Sequence, residues 1–113
     1  MYDTQLLKIK IRAGKTAAVI EFLRSLQDRK DLALEALRRE GMVVESMFLE
    51  RRDGGDYLYY YVKARDLAHA NVINMQATDE LTLEIRKFVA DTWDHIVSPE
   101  PVLDLDLIKE EAP

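Results

Sequence analysis

The chain of 113 residues contains no cysteine and no long apolar run. The missing cysteine excludes disulfides, thiolate nucleophiles and thiolate metal ligands, and it fits a reducing cytosol. No stretch approaches the roughly 18 consecutive apolar residues of a membrane-spanning helix, and the N-terminal MYDTQLLKIKIRAG lacks the uninterrupted apolar core of a secretion signal. We therefore expect a cytosolic protein with no membrane partner.

Basic residues are also fewer than acidic residues. Lysine and arginine number 16 against 21 acidic residues, which gives a net charge of −5. Nucleic-acid-binding domains usually carry a basic face, so we expect no nucleic-acid partner. The hydrophobic share of 48% and the charged share of 33% are those of an ordinary globular domain. We predict one domain over 1–113, with a loose tail at about 109–113.

Motifs for nucleotides, nucleophilic serine and zinc are missing as well. GxGxxG, GxSxG, HExxH and the P-loop pattern do not occur in the sequence. We therefore expect neither a cofactor nor a metal.

Hydrophobic periodicity predicts the order of the elements. Alternation of apolar and polar residues, typical of half-buried strands, occurs at 5–12, 42–52, 56–64 and 101–108. Apolar residues three and four apart predict a helix over 15–40, which either overhangs the sheet or breaks within SLQDRKD. A second helical part follows in two pieces, capped by Asp66 and Thr78 and ended by Ser98-Pro99. With right-handed crossovers, this order predicts a ferredoxin-like α+β fold (βαββαβ) with an antiparallel sheet in the order 4-1-3-2.

The segment DGGDYLYYYVKA (53–64) decides which side chains share a face of the sheet. A two-residue turn at Gly54-Gly55 would pair Glu50 with Tyr59 and Phe48 with Tyr61. The helix-covered face then holds an almost wholly apolar set: Met47, Leu49, Leu58, Tyr60 and Val62. The opposite face, called the open face below, carries Ser46, Phe48, Glu50, Tyr57, Tyr59, Tyr61 and Lys63, with Lys8, Lys10 and Arg12 from strand 1 and Asp104 and Asp106 from strand 4.

Strands 1 and 4 are neighbours in the predicted sheet. Leu103, Leu105 and Leu107 should face the helices, which leaves Asp104 and Asp106 opposite Lys8 and Lys10 in a charge ladder.

Aromatic side chains on the open face bear on the oligomeric state. Phe48, Tyr59 and Tyr61 beside matched charges favour a homodimer in which two sheets pack face to face. A solvated antiparallel face is the alternative.

The segments ESMFLE (45–50) and DYLYYYVKARDL (56–67) carry a resemblance to a known family. With them, nearly the whole chain is similar to a family of small uncharacterised bacterial proteins in the dimeric α+β-barrel superfamily. The resemblance implies the fold and the dimer, and it implies no activity. Superfamily relatives include sugar mutarotases and cofactor-independent monooxygenases, which work inside the barrel cavity.

No functional residue can be transferred from those relatives. The mutarotases use a His and a Tyr on the first helix, and 15–40 contains neither. The oxygenases use Asn, Trp and His, for which only the scattered Asn71, Trp93 and His95 are available.

Glu50 opposite Tyr59 is the leading acid–base hypothesis. Enclosure in a dimer cavity would raise the pKa of Glu50, whereas Lys8, Lys10 or Lys63 nearby would lower it. The alternative is a cross-strand hydrogen bond with a purely structural role.

A secondary candidate site is DTWDH (91–95). Asp91 and His95 would share one helical face, where a carboxylate can orient an imidazole, and Trp93 is interpreted as a core or interface residue. The alternative is a helix-end ion pair. The lone His69 has no identifiable partner and is interpreted as a surface or packing residue.

Two functions are compatible with these features. The first is a homodimeric α+β-barrel protein that binds a small molecule or serves as a structural or interaction module. The second is a cofactor-independent enzyme, resembling an isomerase or a monooxygenase, that acts in the barrel cavity.

Overall fold

A computed structural model describes residues 2–107, which form eight elements. In chain order these are β1 (Asp3–Ile11), α1 (Thr16–Asp28), α2 (Lys30–Glu40), β2 (Met42–Glu50), β3 (Tyr57–Ala64), α3 (Leu67–Gln76), α4 (Glu80–Thr92) and β4 (Trp93–Val97). The predicted tail at 109–113 and Ile108 lie outside this range.

The strands form one antiparallel sheet in the order β2-β3-β1-β4, which confirms the predicted ferredoxin-like topology. Its core is built from alternating residues of β1 and β3 and from one face of α1 and α4. Ile9, Ile11, Leu58, Val19 and Phe88 form this cluster, and Phe22 stacks on Phe88 with ring centroids 4.3 Å apart. Within residues 2–107, no helix combines the length and the apolar character needed to cross a membrane.

The predicted helix over 15–40 is two helices, and the break falls inside SLQDRKD as expected. Arg29 has φ −114° and ψ 38°, outside the helical region, and its guanidinium donates to Glu84 of α4 at 2.6 Å. The joint between α1 and α2 is therefore tied to α4, and the alternative of one overhanging helix is wrong. Gly41 ends α2 in the left-handed conformation at φ 74°, which glycine commonly adopts at the C-terminus of a helix.

The last strand lies earlier in the chain than predicted. α4 ends at Thr92 and β4 follows without a loop, so Ile96 pairs with Ile9 and Val97 with Lys8. The predicted strand over 101–108 is wrong, because 101–106 has no regular secondary structure. The edge position beside β1 is occupied by β4, so the alternating Leu and Asp residues, which follow Pro99 and Pro101, do not become a sheet strand. Asp79, and not Thr78, caps α4.

The hairpin between β2 and β3 has a longer loop than predicted. Glu50 pairs with Tyr57 and Phe48 with Tyr59, so the register differs by two residues from the expected one and six residues form the connection. Asp56 does not pair with β2, because its carboxylate accepts from the Thr16 hydroxyl at 2.7 Å and from the Arg52 N–H at 3.2 Å. A shift of two keeps every side chain on its predicted face.

The paired residues Ile9 and Ile96 test the position of β4. Ile9 is 0% exposed and Ile96 is 52% exposed. We expect Ile9→Ala to lower the free energy of unfolding by about 3 kcal/mol, because a fully packed side chain leaves a cavity, and Ile96→Ala to cost less than about 1 kcal/mol. Urea unfolding of both variants measures the difference. Equal losses would contradict the edge position of β4.

Candidate functional site

On the open face, Glu50, Tyr59 and Arg52 form a hydrogen-bonded cluster. The Tyr59 hydroxyl donates to Glu50 Oε1 at 2.7 Å, and Arg52 Nε donates to the same oxygen at 2.7 Å. The hydrogen bond from Tyr59 is the largest cause of a lowered Glu50 pKa, and Arg52 and Lys8 add to it. The same bond raises the pKa of Tyr59. A carboxylate stabilised in its charged form is a weak proton acceptor, so this geometry is that of a cross-strand hydrogen bond.

The other open-face candidates surround that cluster. The Tyr57 ring lies between two cations, with Lys8 Nζ 4.8 Å and the Arg52 guanidinium carbon 4.9 Å from its centroid. Lys10 pairs with Tyr57 across the ladder. Tyr59 and Tyr61 are half-buried, and Phe48 is 61% exposed. The structure therefore brings the predicted aromatic and basic residues together on one face.

Lys63, at the other end of the open face, is paired with the segment 98–107. Its ammonium lies 2.6 Å from Asp104 Oδ1 and 3.1 Å from Asp106 Oδ2, and the hydrogen bond that it donates to Asp104 is the main cause of its raised pKa. Lys63 is only 4% exposed although it lies on the open face, because this segment covers it. The predicted ladder of Asp104 and Asp106 against Lys8 and Lys10 is therefore wrong, since both carboxylates bind Lys63.

The leucines of this segment also differ from the prediction. Leu103, Leu105 and Leu107 were expected inside the fold, yet Leu105 is 83% exposed and the other two are similarly exposed. The segment alternates as a strand does, with aspartates toward Lys63 and leucines toward solvent. The three leucines thus form an apolar row that projects into solvent on the open-face side of the sheet.

The secondary candidates do not come together. Asp91 is an exposed residue of α4 and His95 an exposed residue of β4, so the predicted shared helical face is wrong because the helix ends between them. His95 Nε2 lies 3.9 Å from Asp94 Oδ1. Over the described part of the chain, no three His, Asp or Glu side chains are grouped as a metal site would require. His69 is exposed, and its backbone N–H donates to Asp66.

A cavity of about 220 Å³ lies between the helix-covered face of the sheet and all four helices. This space is called the inner cavity below. Its walls are mostly apolar, and its polar side chains come from five elements or their ends: Glu40, Glu45, Tyr60, Asn71, Asn74 and Trp93. Ligand sites are typically apolar clefts with a few convergent polar groups, usually of about 300 to 1,000 Å³. The volume here suits a small ligand.

Glu45 is the most distinctive residue of the inner cavity. It lies on the edge strand β2 and pairs with Val62, so it points to the helix-covered side. Its side chain keeps exposed surface because it lines both the inner cavity and an outer groove of about 370 Å³ at the α1–α2 joint. The surrounding protein nevertheless raises the pKa of Glu45 by desolvation, the Tyr60 hydroxyl lowers it in part, and the charge of Glu40 raises it further.

Tyr60, Glu40 and Trp93 complete the polar lining around Glu45. Burial and the neighbouring Glu45 raise the pKa of Tyr60, so it stays a neutral donor. Glu40 is buried and accepts from the Asn74 amide at 3.1 Å. Trp93 lies 6.3 Å from Tyr60 between ring centroids, and its Nε1–H is buried without a partner among residues 2–107. An unpaired buried donor is costly, and an acceptor on a ligand would remove that cost.

The sequence carried a signal for this site. Glu45 has the parity of Met47 and Leu49, which were assigned to the helix-covered face, so alternation alone places a carboxylate among apolar residues. Asn71 and Trp93, which looked scattered, do line one cavity, whereas His95 does not.

Comparisons with known proteins place the chain in a family. Residues 2–110 match the profile of the family of unknown function DUF6176. The chain belongs to this family. No curated protein matches this DUF6176 member.

Solved structures resemble this DUF6176 protein in fold. The protein PA3566 from Pseudomonas aeruginosa has a TM-score of 0.57 and 17% identity, covering 85% of this chain and 87% of its own. L-rhamnose mutarotase FA22100 from Formosa agariphila has a TM-score of 0.56 and 22% identity, covering 92% and 99%. A proposed antibiotic biosynthesis monooxygenase from Nitrosomonas europaea has a TM-score of 0.56 and 16% identity, covering 89% of each chain. At these identities the likeness is one of fold, and it confirms the expected α+β architecture.

Lys63→Met tests whether the lysine holds the segment 98–107. The ion pairs of Lys63 with Asp104 and Asp106 are covered by the segment 98–107 alone, so they are intermediate between exposed and buried ion pairs. We therefore expect Lys63→Met to lower the free energy of unfolding by about 1 to 2 kcal/mol. Cleavage within 101–107 by an endoproteinase specific for Asp should become faster. Lys10→Met, on the same face, is the matched control and should leave that cleavage unchanged. Unchanged cleavage in Lys63→Met would contradict the contact.

Proposed function

We propose that this DUF6176 protein binds a small molecule in the inner cavity and can transfer a proton there without a cofactor. The observation that supports this most strongly is Glu45, a carboxylate with a raised pKa that lines a mostly apolar cavity. Glu50, the acid–base candidate from the sequence, has its pKa shifted in the opposite direction. Of the two carboxylates, Glu45 is thus better suited to exchange a proton with a ligand.

The inner cavity offers complementary groups for one ligand. Glu45 can accept a proton or a hydrogen bond, and the neutral Tyr60 hydroxyl, which hydrogen-bonds to Glu45 in the ligand-free protein, can donate instead to a ligand oxygen that replaces Glu45 as its acceptor. Trp93 Nε1–H is a further donor whose acceptor the described residues do not supply. A base and two donors around a small substrate would favour proton transfer next to an oxygen-bearing carbon, as in an isomerisation.

Two structural neighbours bear names of small-molecule enzymes, a mutarotase and a proposed monooxygenase. They support a catalytic role for this fold. They do not supply residues, since α1 and α2 contain neither histidine nor tyrosine. Binding without catalysis is the second candidate function, because the cavity of about 220 Å³ is smaller than a typical ligand site.

We further propose that the protein is a cytosolic homodimer that buries the open face. Phe48 and Val97 are exposed there, and the leucines of 103–107 stand out from the same side. Apolar side chains exposed on one face of a sheet favour an interface there, and a second copy would provide the same surface in return. The inner cavity lies on the other face of each sheet, so each copy would keep its own site.

Binding in the inner cavity can be followed through Trp93, the only tryptophan. We expect fragments with a donor and an acceptor to shift its indole N–H signal in NMR spectra. Glu45→Gln should weaken their binding by about tenfold to a hundredfold, because a hydrogen bond to a charged group is lost.

Glu50→Gln is the matched control for that experiment. It makes the same chemical change on the same strand but on the open face, and we expect unchanged binding. Fragments that shift the Tyr59 and Tyr61 signals and depend on Glu50 would contradict the inner cavity as the site.

The homodimer is tested by light scattering after gel filtration at micromolar concentration, where we expect twice the mass of one chain. Leu105→Asp should raise the dimer dissociation constant by about tenfold or more, because it puts a charge into an apolar interface. Leu83→Asp, at an exposed leucine of α4, is the control and should keep the dimer. A monomeric wild-type chain would exclude the proposed dimer.

A further inference from the structure

We infer that the ligand of the inner cavity is a small amine in its ammonium form that also carries a hydroxyl or carbonyl oxygen. The inference rests on the proposed function and names the ligand class for the same site. It comes from the charges that line the cavity, the aromatic faces beside them and one unsatisfied donor.

The charged side chains that line the inner cavity favour a cationic ligand. Two carboxylates line the inner cavity, Glu40 and Glu45, and of the described residues that line it none is lysine, arginine or histidine. The carboxylates act on each other, since the charge of Glu40 contributes to the raised pKa of Glu45. An anionic ligand would add a third like charge in a desolvated place, whereas an ammonium group would offset the two that are present.

The position of Glu45 makes it the recognition group. Glu40 is buried and already accepts from Asn74, while Glu45 is exposed and lines both the inner cavity and the outer groove. Lys30 lines the outer groove together with Glu45 but does not line the inner cavity. A ligand inside would therefore meet the Glu45 carboxylate without a competing protein cation on that side.

Aromatic rings stand beside the carboxylates. Tyr60, Trp93 and Phe88 all line the inner cavity, and Tyr60 and Trp93 are tilted at 59° with centroids 6.3 Å apart. Ring faces attract cations most strongly where water is excluded. Aromatic walls with an adjacent carboxylate are a general solution for ammonium recognition.

The buried indole N–H of Trp93 is an independent observation. The residue lines the inner cavity, but the N–H itself has almost no accessible surface, so a ligand oxygen reaches it only when the indole ring shifts; an ammonium group has no acceptor to offer it. A volume of about 220 Å³ limits the molecule to a small amino alcohol or a compound of similar size and polarity.

Three probes of nearly equal shape separate charge from fit: phenylethanolamine, styrene glycol and β-hydroxy-β-phenylpropionate. They are cationic, neutral and anionic, and all carry the same ring and hydroxyl. We expect the amine to bind at least about tenfold more tightly than the glycol, and the carboxylate to bind more weakly than either. Calorimetry and the Trp93 indole signal give the three dissociation constants.

Two further readouts assign the preference to Glu45. Glu45→Gln should reduce the ratio of amine to glycol affinity toward one, while Glu50→Gln should leave it unchanged. In the wild-type protein, amine affinity should fall as the pH is lowered through the Glu45 pKa, because protonation removes the charge that the amine binds. Glycol affinity should change little over the same range.

The outcomes separate the inferred ligand class from the proposed binding in the inner cavity. Glycol binding equal to or tighter than amine binding would overturn the inferred charge and leave the inner cavity as a binding site. Tightest binding of the carboxylate would overturn it as well. If none of the three probes shifts the Trp93 signal while fragments of other classes do, only the ligand class is wrong; if no fragment does, the proposed function fails too.

Discussion

Alternation along β3 is the constraint on which both candidate surfaces depend. β3 lies between β1 and β2, and its residues point by turns to the helices and to the open face. Leu58 and Val62 are fully buried in the core, which forces Tyr60 between them to face the helices as well. Tyr59, Tyr61 and Lys63 are thereby committed to the other side. One strand thus supplies the phenol of the inner cavity and the aromatic row of the open face.

The two surfaces shift the pKa of a glutamate in opposite directions. On the open face, Tyr59 and Arg52 stabilise Glu50 in its charged form through two hydrogen bonds to one of its oxygens. Next to the inner cavity, desolvation and Glu40 work against the charge of Glu45. Both residues belong to β2, five positions apart and on opposite faces. The contrast follows from which face each residue occupies rather than from residue type, and it is the reason why Glu45 rather than Glu50 is proposed as the acid–base group.

Sequence patterns were sufficient for the fold and for the division of residues between faces, because both depend on parity and topology. They failed for the last strand, where the segment with clear alternation is not the one that joins the sheet. Alternation in PVLDLDLI suggested a strand, but the prolines before it and the Lys63 ammonium favour an extended segment on the open face, and WDHIV forms β4 instead. The hairpin register could not be read from Gly54-Gly55 because Asp56 is engaged by Thr16, forty residues away. The inner cavity was missed because it depends on how helices that include Glu40 and Asn74 pack, which periodicity does not report.

The central proposal is that Glu45, although its side chain keeps exposed surface, is desolvated enough beside the inner cavity to exchange a proton with a ligand. The most direct test is an NMR titration of the glutamate side-chain carboxyl carbons in the ligand-free protein. The account predicts that Glu45 titrates above the ordinary range for glutamate and Glu50 below it, within one sample. A Glu45 pKa at or below the ordinary value would mean that its carboxylate is fully solvated, and the inner cavity would then lose its proposed acid–base group.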